Sequence, residues 1–478
     1  MTRLWTLADM ARAMRADING APAEAITGIS IDTRTIAKDE AFFAIKGDVR
    51  DGHDFVEAAL GAGAGVAVVA RDQRARFAAD APLLVVDDVL EALRDLARAA
   101  RARTDARIVA VTGSVGKTGT KEALRLALSA DGLTHASAAS YNNHWGVPLS
   151  LARCPADVKY AIFEIGMNHA GEITPLVKMV RPHVAVVTTV EPVHLEYFGS
   201  VEKIADAKAE IFLGLEPGGA AVINRDNGQH DRLAAAAKAA GVGRIVSFGE
   251  HASCEARLMR FALRADTSCV HADILGHEVH YKIGAPGRHL INNSLAVLAA
   301  VSLMGADLAL AALALGQLRA PTGRGARIVL RVNGGTALLI DESYNANPAS
   351  MAAAIALLGQ AEIGPRGRRI AVLGDMLELG DDGAALHRAL AAPLEAGHVD
   401  LVYCSGPLMH SLWEALPSGR RGGYAGTAAE LEPAVLGAVH PGDAVMVKGS
   451  FGSKMAPIVK ALERTYAGSP APEADAGA

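Results

Sequence analysis

Residues Gly113-Ser114-Val115-Gly116-Lys117-Thr118 stand between a continuous apolar run of strand length, 107–112, and a helical pattern over 117–130. That order suits a phosphate. Glycines let the backbone turn its N–H groups inward, a lysine brings positive charge, and a helix N-terminus follows. The Thr118 hydroxyl is then placed to hold Mg²⁺. The full phosphate-loop pattern asks for glycine at position 111, where the chain has Val111, so the match is the shortened form GxxGKT. The competing reading is a glycine-rich strand–helix turn that binds nothing.

A nucleotide site also needs a carboxylate for the metal. The run 160–164 ends in Glu164 and belongs with the strand before the loop. The run 337–341 ends in Asp341-Glu342 and looks more like a metal-binding strand end, but it lies far along the chain. Pattern favours Asp341 and proximity favours Glu164; either could simply cap the next helix. His194 follows the apolar run 184–188, at the strand end where ligands bind in open α/β sheets, yet a lone histidine is as readily a satisfied polar residue. Asn345, Asn347 and Tyr344 crowd the segment after Asp341, and helix capping explains them equally well. Arg324, in a Pro/Gly-rich connector, reads either as a phosphate contact or as a solvated linker residue. Lys208 sits on an amphipathic helical pattern and pattern reasoning does not select it.

These residues need elements to hold them. With 478 residues the chain needs two to four domains. Short strand-like runs at 41–45, 66–69 and 83–86, then a helical run over 89–102, form a first block, residues 1–103. A second block, 104–320, alternates buried runs at 107–112, 160–165, 184–188, 220–223 and 244–248 with helices, which predicts a mostly parallel sheet covered on both faces. A third, 321–467, repeats the alternation at 337–340, 369–373, 401–404 and 444–447, as a smaller Rossmann-like domain. The Pro-, Ala- and Gly-rich end, 468–478, reads as a disordered tail.

Composition narrows the classes further. Half the residues are hydrophobic and 21% are charged, with net charge −5. This gives no basic footprint for nucleic acid, and the cluster Arg98, Arg101, Arg103 and Arg107 reads as a solvated linker. Four scattered cysteines without CxxC spacing suit isolated thiols in a reducing compartment. No secretory signal is evident at the N-terminus, and the apolar stretch 295–315, broken by Gly305 and Asp307, reads as two core helices and not a membrane span. A cytoplasmic monomer is the expectation.

Taken in order, the motifs resemble the Mur ligase family. Asp32-Thr33-Arg34 and the run from Lys46 through Asp51 and His53 to Asp54 are similar to its uridine-nucleotide-binding domain, and residues 113–119, including Gly119, to its ATP loop. Asn142-Asn143 with 144–148, Glu164 with 165–171, 194–199, Ala207-Lys208, Gly287-Arg288-His289 with Asn293, Gly323-Arg324, 341–348, 372–380 and 447–450 complete the match. The last three are typical of the member that adds a dipeptide. The resemblance implies an α/β chain of three domains: UDP-substrate domain, central ATPase and C-terminal Rossmann-like domain. It implies ligation of D-alanyl-D-alanine to a UDP-N-acetylmuramoyl-tripeptide with ATP and Mg²⁺, two ions in all. By resemblance, Glu164 and His194 are metal ligands with Thr118, Lys208 is a carbamylated lysine, and Asp341 is a nucleotide contact. By the same resemblance Asn293 and Arg324 contact ATP, while Thr33, Arg34, Lys46, Asp51, His53, Asn142, Asn143, Asn345 and Asn347 bind substrate. Leu290 and Glu342 depart from the pattern, where relatives carry Asn and Asp.

Three rivals remain. A sibling or folylpolyglutamate-type ligase shares the ATP loop and metal set. A phosphate-loop regulatory switch would want an NKxD-type guanine reader, which 224–227 does not supply. A catalytically dead scaffold is argued against by the intact Lys117, Thr118, Glu164, His194 and Lys208.

Overall fold

The computed structural model describes residues 3–47, 49–138, 140–193, 195–264, 266–320 and 322–466. His194 and the tail 468–478 lie outside the described residues, so the expectations placed on them are not met or refused by the fold.

Three main sheets follow one another along the chain. The first has five strands, in the order Asp17–Asn19, Leu83–Val86, Val66–Ala70, Glu40–Phe43 and Gly28–Ser30; all pairs are parallel except the first. The second has nine. Thr134–Ala136, Tyr160–Glu164, Arg107–Thr112, Val184–Val187, Ala220–Asn224, Arg244–Gly249 and Ala256–Leu263 run parallel, and Ser268–Ile274 and His277–Ile283 extend them antiparallel. The third has six, from the antiparallel pair Ala326–Val332 and Gly335–Glu342 through parallel Ala444–Lys448, Arg369–Gly374, Leu401–Ser405 and Arg421–Ala425.

The reason for the central sheet is written in its strands. In Arg107–Thr112 the side chains alternate faces, and both faces are apolar. Ile108 and Ala110 join one core with the helices Val89–Ala102, Gly146–Ala152 and Ile173–Val180. Val109 and Val111 join another with Lys117–Ser129 and Arg288–Leu303. A strand buried on both sides needs helices on both sides, which is what the α/β alternation provides.

Helix Val89–Ala102 links the first two sheets. Asp88 caps it by accepting from Glu91 N, a contact worth about 1 kcal/mol. Its buried residues share a core with Met10 of the first block and Leu149 of the second. The arginines at its end are not a solvated linker. Arg101 is buried and donates to Val180 O, Arg181 O and Glu216. Arg103 donates to Leu4 O and Cys154 O and lies 3.3 Å from the centroid of the Trp5 ring. Each long side chain satisfies carbonyls that meet at the junction of two domains.

The apolar stretch after Arg288 is two helices, Arg288–Leu303 and Leu308–Ala314, broken at Gly305 (φ 72°) and restarted by Asp307, which accepts from Ala309 N and Leu310 N. Among the described residues no helix is long and apolar enough to cross a membrane.

Candidate active site

The loop 113–118 leaves the sheet at its topological switch point. Its strand pairs with Tyr160–Glu164 on one side and Val184–Val187 on the other, and the register sets Glu164 beside Val111. Loop and carboxylate therefore emerge at one sheet end. Gly113 has φ 151° and Gly116 φ 89°. A Cβ at 113 would stand 1.9 Å from Thr188 Oγ1, and one at 116 would stand 2.7 Å from Asn293 Nδ2. The loop is held from behind: Ser114 N donates to Thr189 O (2.8 Å), Ser114 Oγ to Glu191 O (3.1 Å), and Thr188 Oγ1 to Val115 O (2.6 Å). Gly119 lies in the first turn of the following helix with open space around it.

Lys117 Nζ folds back onto Gly113 O at 2.7 Å. Burial lowers the amine from its ordinary value, Glu164 opposes that, and the Arg324 guanidinium adds to it. Thr118 Oγ1 donates to Glu164 Oε2 (2.8 Å) and Asn142 Nδ2 donates to Oε1 (2.7 Å). Glu164 is 1% exposed. Lys208, on the helix Val201–Ala209, is also buried, and among the described residues its amine has no hydrogen bond or ion pair. Burial, then the Lys117 charge, holds it well below the usual lysine value. Two amines and a carboxylate thus lie together at the loop, Glu164 and Lys208 buried and Lys117 half-buried.

The third sheet reaches this pocket through Arg324. Its Nη2 donates to Ser140 Oγ at 3.2 Å, and its guanidinium lies 4.2 Å from the Tyr344 ring centroid. Asp341 sets that arm: Oδ2 accepts from Gly323 N (2.8 Å), and Oδ1 accepts from Ser343 N and Ser343 Oγ.

Known proteins match this arrangement from end to end. Residues 111–301 match the Mur ligase middle domain, 327–451 the Mur ligase glutamate ligase domain, and 25–101 the Mur ligase family catalytic domain. The UDP-N-acetylmuramoyl-tripeptide–D-alanyl-D-alanine ligase of Escherichia coli (strain K12) is 34% identical, covering 96% of this chain and 98% of that one. The chain belongs to the Mur ligase family.

The enzyme of the same name from Rickettsia prowazekii (strain Madrid E) is 31% identical over 90% of this chain and 94% of its own. A crystal structure of MurF from Acinetobacter baumannii superposes with a TM-score of 0.82 at 29% identity, covering 96% of this chain and 99% of that one. As a Mur ligase the chain is an ATP-dependent ligase of three α/β domains.

Within this Mur ligase the expected residues divide. Gly113, Gly116, Lys117, Thr118, Glu164, Lys208, Asn142, Asn293 and Arg324 gather around the loop. Asp341 belongs to the same edge but spends both oxygens on residues 323 and 343. Asn143 Oδ1 accepts from Gly146 N and starts the helix Gly146–Ala152. On the first domain, Thr33 is half-buried, and Arg34 is exposed and bound bidentately by Asp32. Lys46 is exposed and bridges backbone to Asp51.

Two expected substrate contacts already have partners within the protein. His53 is buried; Nε2 accepts from Ala70 N (3.0 Å), so Nδ1 carries the proton and donates to Asp51 Oδ1 (2.6 Å). No ring nitrogen is left for a ligand. Asn347 caps the helix Pro348–Gly359 in a reciprocal box with Ser350, so its oxygen is taken. Asn345 is exposed, while its backbone oxygen accepts from Lys448 Nζ (2.9 Å).

Sequence reasoning passed over Lys121, and took Lys448 only as part of the motif 447–450. Lys121 is fully buried four residues after Lys117, and its Nζ donates to Ser137 O (2.8 Å). Lys448 is buried at a strand end and pairs with Glu342 at 3.2 Å. A lysine ending an otherwise apolar strand run was the available signal.

Proposed function

We propose that this Mur ligase joins D-alanyl-D-alanine to UDP-N-acetylmuramoyl-tripeptide, with ATP giving ADP and phosphate, to make a pentapeptide precursor of peptidoglycan. The observation that carries this reading is the end-to-end similarity to ligases of that name, 98% of the Escherichia coli enzyme included. The pocket supports the chemistry. A free carboxylate is a poor electrophile, so it is first phosphorylated by ATP. Lys117 and the loop N–H groups hold the phosphates and neutralise charge on the group in transfer, which is where such reactions gain most of their rate. The dipeptide amine then attacks the acyl phosphate, and phosphate leaves.

Thr118, Glu164 and, by family resemblance, His194 and a carbamate on Lys208 would hold Mg²⁺, as two ions. The donor set fits: the hydroxyl, carboxylate and carbamate oxygens suit Mg²⁺, with a single imidazole beside them, and Thr118 and Glu164 already share a buried hydrogen bond. Bound there, Mg²⁺ supplies charge neutralisation to the phosphates and the acceptor carboxylate. Lys208 supports its assignment through its solvation, since a buried amine favours the neutral form that reacts with CO₂. Arg324 and the third domain close the pocket and exclude water, which the acyl phosphate requires. The enzyme works as a cytoplasmic monomer in wall synthesis, and so bears on cell shape and division.

The test is phosphate release from ATP, Mg²⁺ and UDP-N-acetylmuramoyl-tripeptide, with and without D-alanyl-D-alanine, and the product read by mass. Dipeptide-dependent release with a pentapeptide product supports the reading. A product formed only with a single amino acid on a shorter precursor would leave the family and remove the substrate.

A further inference from the structure

The last two strands of the central sheet, Ser268–Ile274 and His277–Ile283, form a hairpin at the sheet edge, well removed from the loop strand Arg107–Thr112. The register sets His271 directly across from His280 and Asp273 across from Glu278, without a break from Ser268↔Ile283 to Ile274↔His277. Side chains alternate faces along a strand, so His271, Glu278 and His280 share one face. The two imidazoles stack, with centroids 4.1 Å apart and planes 13° from parallel. His271 Nε2 lies 2.6 Å from Glu278 Oε1, and His280 Nε2 lies 3.6 Å from the same oxygen. One ligand atom from each residue falls within 4.8 Å of the others. No step of the ligase chemistry uses these residues.

We infer that this hairpin face binds a borderline divalent transition-metal ion of the Zn²⁺ class. The donor set decides the ion. Two imidazole nitrogens with one carboxylate oxygen suit Zn²⁺ and its neighbours, whereas Mg²⁺ is held mainly by oxygen. The site is therefore a different kind from the nucleotide pocket. The register that sets His280 across from His271 and the contact of both rings with Glu278 Oε1 bring the three donors to one side of the hairpin, where a side-chain rotation of either imidazole completes a common site. The ladder pre-orders the ligands, since the two strands that carry them are already paired over seven residues. His280 and Glu278 are largely exposed, so an ion enters from solvent and keeps water in its remaining positions. Asp273 adds negative charge on the same face, and Arg260, opposite His271, opposes it. Bound there, the ion joins the edge strand to its neighbour.

The test is calorimetric titration of Zn²⁺ into the full chain in excess Mg²⁺ and ADP, which occupy the nucleotide pocket, with melting temperature read alongside. One equivalent is expected. His271→Ala and His280→Ala should each weaken it at least about tenfold and abolish the Zn²⁺-dependent rise in melting temperature. Glu278→Gln should weaken it too, and ligase turnover should be unchanged in all three. Absence of Zn²⁺ binding, or binding at wild-type strength in both histidine variants, would overturn the site. Neither result touches the ligase reading, which rests on other residues.

Discussion

Lys117 and Lys208 are neighbouring amines at the loop, the Lys117 charge adding to burial in lowering Lys208, and their roles are separable by experiment. Lys117→Ala should abolish ATP turnover, by at least about 10²-fold, while circular dichroism and melting stay those of the wild type, because the lost charge acts on the phosphoryl group and not on packing. A folded variant with normal turnover would refute the loop assignment. Lys208→Ala should lose most activity and regain part of it with added short carboxylates; no regain, together with an unmodified Lys208 by mass, would remove the carbamate. The depressed value of Lys208 also has a sign. Between the folded value and 10.5 the unfolded chain binds the extra proton, so stability rises with pH across that window, and the burial cost is complete below it. In CO₂-free buffer, Lys208→Met should therefore be more stable than wild type at about pH 7, with the gap narrowing towards about pH 10; urea melts at both ends measure it. The loop was legible because its backbone demands glycine and its charge demands lysine. Lys208 was not, since a helical lysine carries no local mark of burial, and only resemblance pointed to it. For His53 and Asn347 the sequence does not separate the two roles: polar residues in a matched motif look alike whether they face a ligand or a backbone N–H.

The segment 137–146 is where the site is assembled at the level of elements. Lys121, on the loop's own helix, holds Ser137 O; Asn142 holds Glu164; Ser140 receives Arg324; and Arg34 of the first domain lies near Tyr141. Asn142 is the brace that orients the carboxylate. Asn142→Ala should raise the Mg²⁺ concentration for half-maximal activity about tenfold, with melting little changed, as loss of an outer-shell partner does. An unchanged Mg²⁺ dependence would mean that Glu164 needs no such support. The parallel strands Arg107–Thr112, Tyr160–Glu164 and Val184–Val187 could be read from sequence because burial on both faces leaves continuous apolar runs, whereas the short, half-buried Thr134–Ala136 could not. The strands Ala256–Leu263, Ser268–Ile274, His277–Ile283 and Ala326–Val332 could not: each has an exposed face and charges among its apolar residues, and its pairing is settled by the neighbouring strand.

At the scale of the molecule, the third domain meets the second beside the pocket. Arg324 reaches Ser140 and stacks on Tyr344, and the turn Gly380–Asp382 comes against Glu196, whose Cα would lie 3.8 Å from a Cβ at Gly380. A junction of this kind is an equilibrium between arrangements, and a ligand shifts it only by binding one arrangement better. On the proposed function Arg324 would supply that differential affinity: it is anchored through Gly323 to Asp341 on the third domain, and it lies near Lys117 on the second. Arg324→Ala should leave melting within a few degrees of wild type, since a single partly exposed contact is worth little. It should lower turnover by about 10²-fold and raise the Michaelis constant for ATP, because closure and phosphate charge are lost together. Arg324→Lys keeps the charge but not the planar group that stacks on Tyr344 and forks towards an anion, so it should recover only part. Small-angle scattering separates the two contributions: with an ATP analogue, wild type should contract while Arg324→Ala should keep the dimensions of the unliganded chain. A variant that contracts normally yet turns over slowly would assign Arg324 to the phosphates alone; one that does both normally would leave the domain junction to other residues.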